Sequence, residues 1–145
     1  MKPRLFVFCL LLIVSCQKEQ KETQKPSFLI GDWIRINNKE DSVTYEMWNS
    51  NLEGLGYTLK GKDTTFKEIL SIVSIKDTLF LKVEGVNKEA TLFKFTQQTD
   101  TSFVCKNSKN EFPKQILYYI ENRLLKAVVS SEDLKIDFIF NKNEL

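Results

Sequence analysis

Short-range alternation of apolar and polar residues is the feature that most limits what this chain can fold into. After residue 31, apolar side chains recur at every second position in one short segment after another, and no useful stretch has a helical period. Ten segments show the pattern: 32–37, 42–49, 55–60, 65–75, 78–84, 90–97, 102–107, 115–121, 123–130 and 134–141. The chain is predicted to be all-β, with one short helical turn within residues 26–30.

The links between these segments are short and rich in turn-forming residues, as in Gly61-Lys62-Asp63, Lys76-Asp77 and Ser131-Glu132-Asp133. Links of this length join antiparallel neighbours. Closing such a meander on itself removes its two exposed edges. The predicted fold is therefore an antiparallel up-and-down β-barrel of eight to ten strands.

The side chains that face the barrel interior can be predicted from parity along each segment. The inward rows are Phe66, Leu70 and Ile72; Leu79, Leu81 and Val83; Phe93 and Phe95; Ile116, Tyr118 and Ile120; and Ile136, Phe138 and Phe140. Glu68 interrupts the first row and should point inward with it. Cys105 alternates with Phe103 and is predicted to be a buried apolar side chain.

The N-terminal residues predict where in the cell the protein is located. Lys2 and Arg4 precede an apolar run over residues 5–14, which ends in the lipobox-like sequence Ile13-Val14-Ser15-Cys16. Ten apolar residues are about half of the roughly 20 that a membrane-spanning helix needs. Residues 1–15 are therefore predicted to be a cleaved lipoprotein signal peptide. An ordinary secretory signal with a chance cysteine and a buried core segment are the alternatives.

Cys16 is then the lipidated N-terminus, and its acyl chains would attach the protein to a membrane without a spanning helix. Residues 16–25 are polar and of mixed charge, as in a flexible tether, which leaves 26–145 as one barrel domain. The sequence Gln17-Lys18-Glu19-Gln20 resembles a short export signal of some Gram-negative lipoproteins. The predicted location is the cell envelope, at the outer membrane and exposed at its surface.

Composition excludes several classes of function. Without Lys2 and Arg4 the chain has 19 basic and 19 acidic residues and no basic patch, so nucleic acid is not an expected partner. The chain has no histidine, the usual general base, metal ligand and middle member of catalytic triads. We therefore expect a non-enzymatic protein without a metal or another cofactor.

A set of motifs resembles an uncharacterised lipocalin-like (calycin-type) family of secreted and lipid-anchored bacterial proteins, from about Phe28 to the C-terminus. They are Gly31-Asp32-Trp33, Glu46-x-Trp48, Gly54-x-Gly56, Phe66-x-Glu68-x-Leu70-x-Ile72, Phe103-x-x-x-Asn107, Glu111-Phe112-Pro113 and Ile116-x-Tyr118. The resemblance implies a barrel of eight to ten strands and no particular ligand or reaction. This chain has Lys109-Asn110 where the family often has a histidine and an acidic residue, so no histidine-dependent role is expected.

Glu68 is the most informative candidate, because a carboxylate in an apolar row is costly to bury unless a cation or donor compensates. Arg35 and Lys94 are possible partners. An internal ion pair, or a bulge that turns Glu68 outward, would make it structural; a cavity would make it a ligand anchor. Glu46 and Trp48 share one strand face, which is either the cavity wall or a solvated surface. Two inward carboxylates would also suit glycoside hydrolysis.

Asn107 is expected to shape the turn before Pro113, or to line the barrel mouth with Glu111 and Phe112. The leading hypothesis is a barrel that binds a small, partly apolar or amphipathic molecule. Its candidate lining is Trp33, Glu46, Trp48, Glu68, Asn107, Phe112 and Tyr118. The alternatives are a filled barrel that binds an envelope protein through its surface, and a hydrolase that uses Glu46 and Glu68.

Overall fold

The computed structural model describes residues 24–144. A 3-10 turn at Ser27–Leu29 leads into ten strands: β1 (Gly31–Arg35), β2 (Ser42–Trp48), β3 (Glu53–Lys60), β4 (Asp63–Ile75), β5 (Thr78–Glu84), β6 (Thr91–Gln98), β7 (Ser102–Lys106), β8 (Gln115–Glu121), β9 (Leu124–Ser130) and β10 (Lys135–Lys142). The predicted signal peptide 1–15, the lipidated Cys16 and the tether up to residue 23 lie outside the described residues.

Every strand pairs antiparallel with its neighbours in the chain, and β1 pairs with β10. The sheet is therefore a closed barrel without an exposed edge. The predicted all-β, up-and-down barrel is confirmed, at the upper end of the expected strand number.

Tight turns fix the register of several hairpins. Lys76 and Asp77 both have positive φ, and so do Asn122 and Arg123. Two consecutive residues of this kind form the turn whose twist matches the strands of a two-residue hairpin. The β3–β4 hairpin uses Gly61, whose φ of 60° costs a glycine little. These links are the reason why sequential strands pair.

A bulge interrupts the pairing of β3 with β4, where Thr58 pairs with Phe66 and Leu59 with Thr64. Thr65 is therefore the extra residue. Because the bulge precedes Glu68, the positions from Phe66 to Ile72 keep their alternation, and Glu68 faces the interior as the parity of its row predicts. The alternative in which a bulge turns Glu68 outward is wrong.

The loops of an up-and-down barrel fall into two sets, one at each end. The end that we call the mouth carries the loops at 36–41, 61–62, 85–90, 107–114 and 131–134. The opposite end, which we call the closed end, carries the 3-10 turn, the remaining loops and the end of β10. The chain therefore enters and leaves the barrel at its closed end.

Large side chains fill the interior at the closed end. Leu29 of the 3-10 turn is fully buried there, and the indole nitrogen of Trp33 donates a hydrogen bond of 2.7 Å to its carbonyl oxygen. The ring of Phe103 stacks on Phe95 at 4.3 Å between centroids and on Tyr118 at 5.3 Å. Aromatic pairs at these distances add to the stability gained from apolar burial. The 3-10 turn and the aromatic rings together plug this end.

Cys105 is fully buried on the inner face of β7, where it was predicted. Burial raises the pKa of its thiol, so the group stays protonated. Among residues 24–144, no helix is long and apolar enough to cross a membrane.

Candidate functional site

The mouth half of the barrel is hollow. It encloses a cavity of about 280 Å³. An engineered apolar cavity of about 150 Å³ is large enough to bind benzene, and ligand pockets start at about 300 Å³. The wall is mainly apolar, and its inward-facing members include Leu70, Leu81, Val83, Phe93, Phe112, Ile116, Tyr118, Val129, Ile136, Phe138 and Phe140.

Glu46 lies where the cavity meets the packed interior, and only 5% of its surface is exposed. The indole nitrogen of Trp48 donates a hydrogen bond of 2.7 Å to its Oε1 atom. The hydroxyl of Tyr118 donates one of 3.1 Å to Oε2, from the other side of the barrel. Each carboxylate oxygen therefore has one donor.

Burial raises the pKa of Glu46 to about 7, although the hydrogen bonds from Trp48 and Tyr118 act in the opposite direction by favouring the charged form. The same environment raises the pKa of the Tyr118 hydroxyl well above its usual value, first through burial and then through the nearby carboxylates. Tyr118 is therefore a donor to Glu46 throughout the physiological range.

Glu68 faces the same cavity from β4. In the sheet register Glu46 lies opposite Gly56 and Gly56 lies opposite Glu68, so a glycine separates the two carboxylates. Gly56 leaves the space that Glu68 uses, since a Cβ there would come within 2.9 Å of its Oε1 atom. Glu68 is half-buried. Burial, and secondly the charge of Glu46, raise its pKa to about 7.

Within residues 24–144, no side chain forms a hydrogen bond or ion pair with the carboxylate of Glu68. The guanidinium of Arg35 lies over the ring of Phe138 at 4.2 Å and donates to Asn37 at 2.9 Å. Lys94 is exposed on the outer face of β6. The prediction that Arg35 or Lys94 compensates Glu68 is therefore wrong, and the cavity is what Glu68 faces.

Of the seven candidate residues, the structure brings four together on the cavity wall: Glu46, Glu68, Phe112 and Tyr118. Trp48 lies beneath the wall and holds Glu46 in place. Trp33 is buried further down, at the closed end, and does not line the cavity. The even-numbered face of β2 is the inner one, so Glu46 and Trp48 face the interior and not a solvated surface.

Asn107 does not line the cavity either. Its side-chain oxygen accepts hydrogen bonds from the backbone of Lys109 and Asn110, and its amide donates to the carbonyl oxygen of Leu92 at 3.0 Å. Asn107 therefore shapes the turn before Pro113, which is the first of the two roles predicted for it. Glu111 is exposed, so Phe112 is the member of this group that reaches the wall.

The sequence did not single out several wall residues. Asn110 lies at the mouth, where its side-chain amide donates to the carbonyl oxygen of Pro113 at 2.8 Å. Thr44 and Thr58 line the wall together, with their hydroxyls 3.0 Å apart. Parity predicts that both threonines face inward, but nothing in the sequence alone says at which height the interior becomes hollow.

The wall limits the chemistry that is possible here. Among the residues from 24 to 144, it contains Glu46 and Glu68 and no lysine or arginine. Within the described part of the chain, no group of three or more histidine, cysteine or acidic side chains could hold a metal ion. Glu46 and Glu68 project inward from β2 and β4, which are separated by β3, rather than from neighbouring strands.

These features define a class: a closed, ten-stranded antiparallel barrel that is packed at one end and has an acidic, otherwise apolar cavity at the other. No family model, no curated protein and no solved structure matches this chain.

Proposed function

We propose that this protein is a lipid-anchored barrel of the cell envelope that binds a small, partly apolar molecule in its cavity. The observation that carries the proposal is the hollow mouth half, with an apolar wall and a carboxylate, that of Glu68, which has no partner among residues 24–144. A few well-placed polar groups in a largely apolar cavity are typical of small-molecule sites.

The mouth itself suits an apolar ligand. Phe66 and Val86 line the cavity and are also 43% and 51% exposed. Ile36 and Leu134, in two other mouth loops, are about half exposed as well. Apolar side chains at the rim would let a partly apolar molecule reach the interior without crossing a polar barrier.

The position of Gln24, near the proposed tether, indicates how the anchored barrel is oriented. The side chain of Gln24 donates a hydrogen bond of 3.0 Å to Asp100, in the β6–β7 turn at the closed end. The side chain of Gln98 donates to the carbonyl oxygen of Gln24 at the same end. If Cys16 carries the lipid, the tether attaches at the closed end, and the mouth lies on the side away from the attachment.

Binding of the uncharged dye N-phenyl-1-naphthylamine tests the cavity, because its fluorescence rises in an apolar site. We expect saturable binding of one dye molecule per protein. The substitution Val129→Trp should abolish binding, since Val129 lines the cavity and an indole there would fill it.

Val128→Trp is the matched control, because Val128 is the next residue along β9 and faces outward. It should leave dye binding unchanged. Urea unfolding of both variants shows that each is folded under the assay conditions. Equal dye binding by the two folded variants would mean that the dye binds elsewhere, and would overturn the proposed site.

Lipidation is tested by metabolic labelling of the full chain in cells with an alkyne analogue of palmitate. We expect Cys16→Ser to remove the label, because Cys16 is the proposed acceptor. Cys105→Ser is the matched control and should keep it, since Cys105 is buried in the barrel. Label that persists in Cys16→Ser would contradict the anchor.

Two other functions are less well supported. An interaction protein with a filled barrel requires a packed interior, whereas this barrel is packed only at its closed end. Acid and base catalysis by this pair needs both carboxylates free to reach a substrate, whereas both oxygens of Glu46 already accept hydrogen bonds, from Trp48 and from Tyr118. Ligand binding uses the hollow interior and the carboxylate of Glu68 directly.

A further inference from the structure

We propose that the ligand is a cationic amine, whose ammonium group pairs with the carboxylate of Glu68 while its apolar part fills the cavity towards the mouth. This inference rests on the proposed function, because it names the class of molecule that the same cavity would bind.

The charges of the wall favour a cation. Glu46 and Glu68 are its only charged side chains among the described residues. A ligand carboxylate or phosphate would meet two acidic groups in a medium of low polarity and no basic group to compensate them. A neutral ligand would leave the acidic groups as they are. An ammonium group would meet the opposite charge that it needs.

The two carboxylates differ in what they lack. Glu46 already accepts from Trp48 and Tyr118, one donor on each oxygen. Glu68 has no such donor in the described part of the chain and opens onto the cavity, with Gly56 leaving room beside it. A hydrogen bond from a charged donor is stronger than one from a neutral donor, so Glu68 is the group that gains most from an ammonium ligand.

Aromatic rings supply a second attraction for a cation. Tyr118 lines the cavity beside Glu46, and the rings of Phe93 and Phe138 line it as well. A cation over the face of such a ring is attracted by its quadrupole, and more strongly where water is excluded. At the mouth, the ring of Phe138 already holds the guanidinium of Arg35 at 4.2 Å. The same ring type is thus suited to an amine inside.

The surroundings of Glu68 make amine binding dependent on pH. Glu46, Tyr118 and Cys105 are the other titratable side chains that face this part of the interior, and Arg35 faces inward at the mouth. The positions of β3 and β5 that line the cavity on either side of Glu68 with inward side chains hold glycine, threonine and aliphatic residues, and Lys60 at the end of β3 is exposed and does not line it. Below its pKa of about 7 Glu68 is protonated, and the ammonium group must displace that proton.

Three probes of nearly the same shape separate the possibilities: 2-phenylethylamine, 2-phenylethanol and 3-phenylpropanoate. Binding to the purified protein is measured by calorimetry at pH 8. We expect the amine to bind at least about tenfold more tightly than the alcohol, and the carboxylate to bind least. Between pH 7 and pH 5, amine affinity should fall by up to about tenfold per pH unit, since one proton is displaced.

Glu68→Gln should remove the preference for the amine and most of its pH dependence, while binding of the alcohol persists. Glu84→Gln is the matched control, because Glu84 lies on the neighbouring strand and pairs with Lys82 on the outer face at 2.9 Å. It should keep the preference for the amine.

Equal or tighter binding of the alcohol or the carboxylate would overturn the inference and leave the proposed function intact. A preference for the amine that survives Glu68→Gln would overturn it too, because the ammonium group would then bind elsewhere. If none of the three compounds binds at millimolar concentration, the inference fails, and the dye experiment decides whether the cavity binds apolar molecules at all.

Discussion

The two halves of this barrel are built from the same ten strands, yet one is solid and the other is hollow. At the closed end the inner positions hold large side chains such as Trp33, Trp48 and Phe103, and the 3-10 turn covers them. Towards the mouth, inner positions include Thr44, Gly56 and other small residues. Strand geometry is shared, so the sizes of the inward side chains decide where the cavity begins.

The halves also differ in whether their inward polar groups have hydrogen-bond partners. At the closed end the indole of Trp33 donates to a backbone carbonyl, and at the boundary Trp48 and Tyr118 satisfy Glu46. Glu68, which faces the cavity, forms no hydrogen bond or ion pair within residues 24–144. A packed interior cannot tolerate an uncompensated carboxylate, whereas a cavity can hydrate it until a ligand arrives.

The largest expected effect compares one phenylalanine in each half. Phe103 and Phe93 are 1% and 2% exposed and lie on adjacent strands, but only Phe93 borders the cavity. Phe103→Ala should lower the free energy of unfolding by about 3–5 kcal/mol, because it opens a void in a packed region. Phe93→Ala should cost less, about 2–3 kcal/mol, because its ring already lacks neighbours on one side.

Urea unfolding at constant pH measures both losses, provided that the two variants keep the wild-type dependence on urea. Equal losses would mean that the mouth half is as tightly packed as the closed end, and the contrast between the halves would disappear.

A smaller effect concerns the charge of Glu68. Its pKa is raised to about 7 in the folded protein, above its value in the unfolded chain, so the folded state binds the extra proton. Stability should therefore fall as the pH rises from about 4.5 to about 7, and remain low above that range. Glu68→Gln should remove this cost and stabilise the protein at pH 8 by about 2–3 kcal/mol, with no gain at pH 4.

Glu46 contributes a fall of the same sign, because its pKa is also raised, so the variant should keep part of the pH dependence. Denaturation curves at pH 4, 6 and 8 for the wild type, Glu68→Gln and the surface control Glu84→Gln measure the effect. A gain in Glu68→Gln that is the same at all three pH values would show that the charge of Glu68 is not its cause.

The sequence alone predicts the barrel well, because each strand carries its own signal. Alternation places Phe66, Leu70 and Ile72 on one face, and the turn at Lys76-Asp77 closes the next hairpin regardless of the rest of the molecule. Parity also predicts correctly that Glu68 points inward, since the bulge falls at Thr65 and not within its row.

The site could be predicted only in part, because it depends on the register between strands. Trp48 is a neighbour of Glu46 on the same face of β2, but Tyr118 reaches Glu46 only because closure of the barrel brings β2 and β8 face to face. Trp33 and Trp48 look like ligand contacts in the sequence, but they lie below the height at which the cavity starts. Local patterns carry no information about that height.

The two glycines of β3 give the smallest and most selective test. A Cβ at Gly54 would come within 2.8 Å of the indole of Trp48, whereas one at Gly56 would meet the carboxylate of Glu68 at 2.9 Å. Gly54→Ala acts on a ring that is held in the packed interior, so it should cost about 1–2 kcal/mol of stability. Gly56→Ala acts on the end of a flexible side chain beside a cavity, so Glu68 can move away at little cost.

Function should respond in the opposite order. Gly56→Ala places a methyl group where the carboxylate of Glu68 lies, and should weaken binding of 2-phenylethylamine more than binding of 2-phenylethanol. Gly54→Ala should change the two affinities alike, because it acts through Trp48 and Glu46 at the base of the cavity. Denaturation ranks the two variants by their loss of stability, and calorimetry ranks them by their loss of preference for the amine. If Gly56→Ala proves the more destabilising substitution, Glu68 is fixed in place as firmly as Trp48, and the hollow half is as rigid as the packed one.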